Sequence, residues 1–470
     1  MKKEQFKKYG YELIDWIADY LEKVEQLPIK STVQPGQIKK QLPVSPPVQA
    51  EEMDGILDDF KKIILPGMTH WQHPGWFAYF PSNNSPASIL GELLSAGLGT
   101  QAMVWQTSPS ATELEEVVMD WLRQMIGLPE GYVGVIQDTA STATLCALLA
   151  AREKATDFAV NDSGFSKVLR VYATNEAHSS VEKGVKIAGF GRKNLVYIPV
   201  DGEFAMIPGQ LEEAIKNDLE ARFQPACAVA TVGTTSSGAI DPLKPIGEIC
   251  RKYNLWLHVD AAYAGTAAIL PEKRWILEGA DYADSLVFNP HKWMLTNFDC
   301  SAFFVRNPQT LIRTFEIHPE YLKTSVDAVV KNFRDWGIQL GRRFRSLKLW
   351  FVLRTYGVEG IKKIIRKHLH LAELFRDELV QDKKFELLAP VYLSLVCFRL
   401  NDGREEEKLN QLNQQLLEAI NSTGKVFLTP TALDGKFTLR LVVGQRTTEE
   451  RHVRQVLQII KEKADELLRK

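Results

Sequence analysis

Between residues 85 and 306 the chain alternates continuous apolar runs with helical patterns, and this alternation most limits what it can become. Runs at 167–172, 226–232 and 255–260 are apolar on both of the faces that a strand presents. Helical patterns at 181–188, 208–219 and 245–253 lie between or beside them. Strands without a polar face belong in a mostly parallel sheet covered by helices on both sides, which makes the fold class α/β. The flanks read differently. Phe6, Leu13, Ile17, Tyr20, Leu21 and Val24 recur at helical spacing and predict an amphipathic helix that Pro28 ends. A Pro- and Gln-rich connector at 32–47, a helix at 51–64 and an aromatic loop at 73–81 follow. Beyond residue 341 the pattern predicts helices at 342–353 and 358–379, strands at 391–400 and 436–443, and a last helix from 448, for which Thr447 and Glu450 form a capping box. A length of 470 residues exceeds one comfortable core. The expected division is an N-terminal helical arm (1–84), a large α/β domain (85–350) and a small α+β domain (351–470). The arm has little core of its own, so a partner subunit is expected to cover it.

A formal net charge of −1 gives no reason to expect a nucleic-acid partner. The basic run at 341–345 is short and broken by apolar residues. The five cysteines are scattered, with no Cys-x-x-Cys pair, which fits free thiols in a reducing cytoplasm. The basic N-terminus has no apolar stretch behind it, and no uncharged apolar segment is long enough to span a bilayer. A cytoplasmic protein with no membrane partner is expected.

Four short motifs stand at the ends of the central strands, where open α/β sheets bind ligands. Asn289-Pro290-His291-Lys292-Trp293 follows the apolar run 285–288. A lysine made nucleophilic by partial burial could take an aldehyde cofactor; the ordinary alternative is a surface lysine. Asp260 closes the run 255–260 and is followed by small residues, Ala261 and Ala262. A carboxylate there could hold the ring nitrogen of pyridoxal 5'-phosphate (PLP), or could simply cap the next helix. Gln137-Asp138-Thr139-Ala140-Ser141-Thr142 opens a helix, and its hydroxyls and free N–H groups suit a phosphate, or only a cap. His178, between a strand and a helix, could stack on a cofactor ring or be merely hydrogen-bonded. Thr235, in the Gly233-Thr234-Thr235 turn, is placed similarly.

Together these strings, with Leu340-Gly341-Arg342-Arg343-Phe344-Arg345-Ser346-Leu347-Lys348, resemble the group II PLP-dependent amino-acid decarboxylases. The resemblance covers nearly the whole chain and is nearest to the aromatic amino-acid branch, through Trp71, Phe77-Ala78-Tyr79-Phe80-Pro81 and Asp299-Cys300-Ser301. It implies a type I aminotransferase-like fold, PLP as cofactor, a small amino-acid substrate and a homodimer with its sites at the interface. It implies Lys292 as the Schiff-base lysine, Asp260 as the partner of the pyridine nitrogen and His178 as the stacked imidazole. Thr139, Ala140, Ser141 and Asn289 would surround the phosphate; Thr235, Ala262 and His291 would line the cofactor; Trp71, Tyr79, Phe80 and Pro81 would form the substrate pocket.

Two departures from the family pattern matter. Asp138 stands where many relatives have glycine, and turning away to cap the helix would keep it from the phosphate. Phe333 stands where decarboxylases of this branch carry a loop tyrosine, held to return a proton to Cα after carbon dioxide leaves. Relatives with phenylalanine there behave as aldehyde synthases. The expected activity is decarboxylation of tyrosine, tryptophan, phenylalanine or DOPA to the amine, with aldehyde formation as the alternative. A PLP aminotransferase and a non-catalytic PLP-binding relative are the remaining rivals.

Overall fold

The computed structural model describes residues 1–317 and 329–469. Seven strands, β1 (Val133–Gln137), β2 (Leu169–Thr174), β3 (Leu195–Ile198), β4 (Gln224–Thr231), β5 (Trp256–Asp260), β6 (Ser285–Phe288) and β7 (Ser301–Val305), form one sheet in the order β1-β7-β6-β5-β4-β2-β3. From β6 to β3 the pairing is parallel, while β7 runs antiparallel to both β1 and β6. Every residue of β5, β6 and β7 is buried. Successive residues serve opposite faces. Ala228, Leu257, Val259 and Leu286 join one apolar cluster, and Cys227, Val229, Trp256 and Val287 join another. The sheet is therefore covered on both sides, as the unbroken apolar runs predict. The helices Ser180–Ile187, Pro208–Glu220 and Leu243–Lys252 stand where helical spacing predicts them.

The C-terminal part holds a second sheet, antiparallel, in the order β10-β11-β9-β8, built from β8 (Phe385–Leu387), β9 (Leu395–Leu400), β10 (Thr429–Leu433) and β11 (Lys436–Val442). The sequence reading missed β8 and β10. β8 has only three residues, and β10 is an edge strand carrying Pro430, where a missing N–H costs no ladder bond. The two helices expected at 342–353 and 358–379 lie in Arg345–Leu379 and are divided, as expected, at Gly357, whose φ 62° and ψ 169° are not helical. The last helix is Glu450–Leu468, with Glu449 and His452 forming its capping box. Thr447 and Thr448 instead donate to the carbonyls of Gln72 and Pro74, so the expected cap is displaced by a tertiary contact.

The N-terminal helix, Lys3–Lys23, buries only Tyr9, and Phe6, Tyr11, Leu13 and Ile14 stay exposed. Residues 75–79 are laced to the C-terminal part of the chain: Phe77 N–H donates to Phe427 O, Val442 N–H to Phe77 O, and Tyr79 N–H to Thr429 Oγ1. Among the described residues no helix is long and apolar enough to cross a membrane.

Candidate active site

The parallel strands deliver Gln137, Thr174, Thr231, Asp260 and Phe288 to one edge of the sheet. The residues with chemistry follow directly after these ends. Lys292 lies on the single helical turn Pro290–Trp293 that leaves β6. It keeps intermediate exposure because it faces the cleft, yet desolvation of its ammonium lowers its pKa, with Asp260 opposing and Arg440 reinforcing the shift. Its Nζ lies 5.4 Å from the centre of the Phe80 ring. Asp260, 4% exposed, ends β5, and its Oδ1 accepts the Ala262 N–H at 3.0 Å. Its charge acts on Lys292, His178 and His258 alike, so the carboxylate sits among these three.

His178 opens toward the same space. Its Nδ1 accepts the Ser180 N–H at 3.1 Å and lies 2.8 Å from Ser180 Oγ, so the proton of the neutral ring is on Nε2. Desolvation lowers its pKa, Asp260 opposes this and the Lys292 charge adds to it. The helix Ala140–Ala155 begins at the end of β1 with Thr139 as its cap, accepting from Thr142 N–H. The first N–H groups of a helix lack partners within it, so Ala140 and Ser141 present donors to an anion. Asp138 is not the cap that was expected: its carboxylate accepts from Thr139 N–H and from Gln339 Nε2. Asn289, buried, takes the Ser301 hydroxyl on its Oδ1 at 2.7 Å. The Thr235 turn is tight because Gly233 has φ +81° and a Cβ there would meet Ala264 Cβ at 2.6 Å. His291 is buried with its Nδ1 accepting Cys300 N–H, and desolvation takes its pKa down to about 3. A cavity of about 200 Å³ lined by Thr174, Asn175, Ala177 and His178 adjoins the end of β2. A larger one, about 390 Å³, lies at the opposite edge, where residues 126–129 and 274–281 lead into β1 and β6, away from this chemistry.

The expected substrate residues divide. Phe80 stacks on Tyr263 at 4.1 Å, Tyr263 on Trp293 at 4.4 Å and Trp293 on His368 at 6.3 Å, forming a column beside Lys292. Pro81 packs on Gly444. Trp71 and Tyr79 instead form a separate, partly exposed stack with Trp76. Phe333 is buried in a short helical turn, edge-on to Trp336 and 4.7 Å from the Arg342 guanidinium. Three participants escaped the sequence reading: Asn83, which holds the Lys292 backbone; Ser180, which fixes the His178 tautomer; and Arg440. Only Arg440 left a signal, as the one charge in the mostly apolar run 437–443.

A desolvated amine, a buried carboxylate beside it, an imidazole and an open helix terminus suit a flat, phosphorylated aldehyde, and among the described residues no side-chain cluster suits a metal instead. The family description "Pyridoxal-dependent decarboxylase conserved domain" matches residues 35–401. The chain is 46% identical to the phenylacetaldehyde synthase of Arabidopsis thaliana, over 100% of this chain and 98% of that protein. It is 45% identical to tryptophan decarboxylase 2 of Oryza sativa subsp. japonica, over 100% and 96%. The solved structure of Oryza sativa TDC with PLP and tryptamine superimposes with a TM-score of 0.96 at 38% identity, covering 99% of each chain. Cleft and kinship agree, and the chain belongs to the pyridoxal-dependent decarboxylases, enzymes that remove carboxylate from amino acids with PLP as cofactor.

Proposed function

We propose that this enzyme decarboxylates an aromatic L-amino acid, with Lys292 as the residue that carries the cofactor. The observation that supports this most is the placement of a desolvated Lys292 amine between the Asp260 carboxylate and the face of Phe80. PLP supplies, when bound, an aldehyde for amines and a ring that withdraws electrons from Cα. The chain supplies the rest. Burial disfavours the charged form of Lys292 and so favours the free amine that an aldehyde needs. Asp260 would hold a proton on the ring nitrogen of the bound cofactor, and its burial would strengthen that contact. His178, with its proton on Nε2, would lie against the ring. Ala140, Ser141, Thr139 and Asn289 would hold the phosphate, while Thr235, Ala262 and His291 would shape the cofactor's surroundings. Phe80 and Pro81, with Trp71 and Tyr79 toward the rim, receive the substrate's side chain.

A second reading is favoured by Phe333. A ring without an ionisable proton stands where the family's tyrosine returns a proton to Cα. Oxygen can then take the electrons: amino acid, dioxygen and water give aldehyde, carbon dioxide, ammonia and hydrogen peroxide. The Arabidopsis relative is named for such a product. The exposed arm helix and the exposed Trp71–Tyr79 stack support a homodimer with the site at its interface.

The test is incubation with tyrosine, tryptophan, phenylalanine and DOPA separately, with no keto acid added, scoring carbon dioxide, amine and aldehyde. Carbon dioxide from at least one is expected. Turnover that requires a keto-acid acceptor would make the enzyme an aminotransferase, and no turnover of any would make it a binding protein.

A further inference from the structure

The carboxylate of Asp138 already takes donors that suit the cofactor's phosphate. Its Oδ1 accepts the Thr139 N–H at 2.5 Å and lies 3.3 Å from Thr139 Oγ1. Thr139 caps the helix Ala140–Ala155, whose first N–H groups have no partner within the helix. At a terminus that favours an anion, one anion is therefore built into the chain. The other carboxylate oxygen has a different partner. Oδ2 accepts from Gln339 Nε2 at 3.3 Å, and the charge of Asp138 also acts on Arg345. The backbone here is held in place. Ser301 Oγ lies 3.3 Å from Asp138 O and 2.7 Å from Asn289 Oδ1, and the preceding side chain, Gln137, donates to Trp336 O at 3.1 Å. The carboxylate is the part with room to turn, since Asp138 is half-buried and Gln339 is exposed.

A phosphate carries a charge of about −1.5 to −2 near pH 7. Seated at this helix end, it meets a carboxylate that holds the Thr139 donors, and like charges this close oppose each other. We propose that the Asp138 carboxylate is an internal competitor of the cofactor's phosphate: it has to release Thr139 and turn wholly to Gln339 before the phosphate is seated. The inference rests on the phosphate seat proposed above. Only the chains whose Asp138 has turned aside are ready for the cofactor, and apparent affinity falls by that fraction. The chain thus holds PLP less tightly than its donors alone would allow, and its occupancy follows the supply of PLP around it.

The competition acts on the phosphate alone, which separates it from a general change in the fold. The full-length enzyme, stripped of cofactor, is titrated with two probes. One is PLP; the other is pyridoxal, which has the same ring and aldehyde without the phosphate. Asp138→Asn keeps the shape and removes the charge. It should tighten PLP by about 10–150-fold, the weight of one charge-assisted contact, and leave pyridoxal unchanged. Asp138→Ala removes the competing acceptor as well; it should act in the same direction, and it is the variant to use if Asp138→Asn does not fold. Gln339→Leu leaves the carboxylate on Thr139, so it should weaken PLP in the wild type and change nothing in Asp138→Asn. No tightening of PLP, equal tightening of both probes, or a Gln339→Leu effect that persists in Asp138→Asn would each overturn the proposal. Ser141→Ala is titrated alongside. With no effect at Asp138, a Ser141→Ala loss for PLP and not for pyridoxal leaves the phosphate seat standing without its competitor, whereas no loss removes the seat as well.

Discussion

The side-chain amide of Asn83 donates to the backbone carbonyl of Lys292 at 2.7 Å. The same amide donates to Gly444 O at 2.8 Å, and Asn83 Oδ1 accepts the Arg446 N–H. One residue of the N-terminal segment thus ties the proposed Schiff-base lysine to the backbone at Gly444 and Arg446.

Asn83→Ala should leave three backbone groups, one buried and two part-buried, short of a partner. At about 1–3 kcal/mol for an unsatisfied buried group, a clear fall in melting temperature is expected. Asn83→Asp should be as damaging, since a carboxylate accepts but cannot donate to two carbonyls. Thermal denaturation of both variants, with PLP content measured alongside, checks this; a melting point equal to wild type would show that the clamp carries no weight.

Asp260→Ala should cost about 1.5–3 kcal/mol of cofactor binding, the usual worth of a hydrogen bond to a charged group, and should lower turnover at saturating PLP. Lys292→Ala should fold but lose the adduct that borohydride forms in the wild type. Mass mapping of that adduct to a different lysine would move the site.

Acid should destabilise the protein before its carboxylates titrate. Burial holds His258 at about 4, and His291 and His368 at about 3, against 6.5 for the exposed side chain. These folded values are depressed, so below pH 6.5 the unfolded chain binds protons that the native state refuses. The stability contribution is complete above pH 6.5 and shrinks as pH falls toward 4 and 3. At pH 5.5 each histidine should have cost on the order of 1 kcal/mol. Urea midpoints at pH 7.5 and 5.5 measure it, and His368→Gln, which cannot titrate, should narrow the difference.

Phe333→Tyr should shift product toward the amine. A positioned general acid typically contributes about 10²–10⁴-fold to proton transfer. Oxygen uptake and peroxide are expected from the wild type with an aromatic substrate in air, and less of both from the variant. Clean amine without oxygen uptake, unchanged in Phe333→Tyr, would rule this residue out as the determinant.

Deleting the residues before Pro28 should remove the helix whose Phe6, Tyr11, Leu13 and Ile14 are left exposed. Light scattering should find dimer for the full chain and inactive monomer or aggregate for the truncated one; an active monomer would refute the proposed assembly.

The sheet was legible because burial on both faces removes the polar alternation that blurs strand boundaries elsewhere; 285–288 is β6 residue for residue. Lys292, Asp260 and the helix at Ala140 were legible for a related reason, since each closes or soon follows such a strand. What escaped depends on distant pairing. Asn83 sits in a polar Ser82-Asn83-Asn84-Ser85 string that reads as any turn, and its meaning comes from Lys292 and Gly444. Trp71 and Tyr79 are as aromatic as Phe80, yet only Phe80 comes out on the Lys292 side, and composition cannot tell them apart. The cap at Thr447 failed because the carbonyls of the arm outcompete the helix for its hydroxyl.

The lacing of residues 75–79 to Phe427, Thr429 and Val442 also sets a clock on synthesis. Tyr79 emerges from the ribosome 350 residues before Thr429. At about 5–20 residues per second, the segment that carries Phe80 waits tens of seconds for the strands that hold it. Arg440 arrives later still, so the cleft cannot be complete on a nascent chain. A ribosome-bound chain stopped short of β10 should have Lys292 and the helix end at Ala140 but no strand to hold the segment of Phe80, so the proposed cofactor groups and the aromatic wall beside them come together at different times.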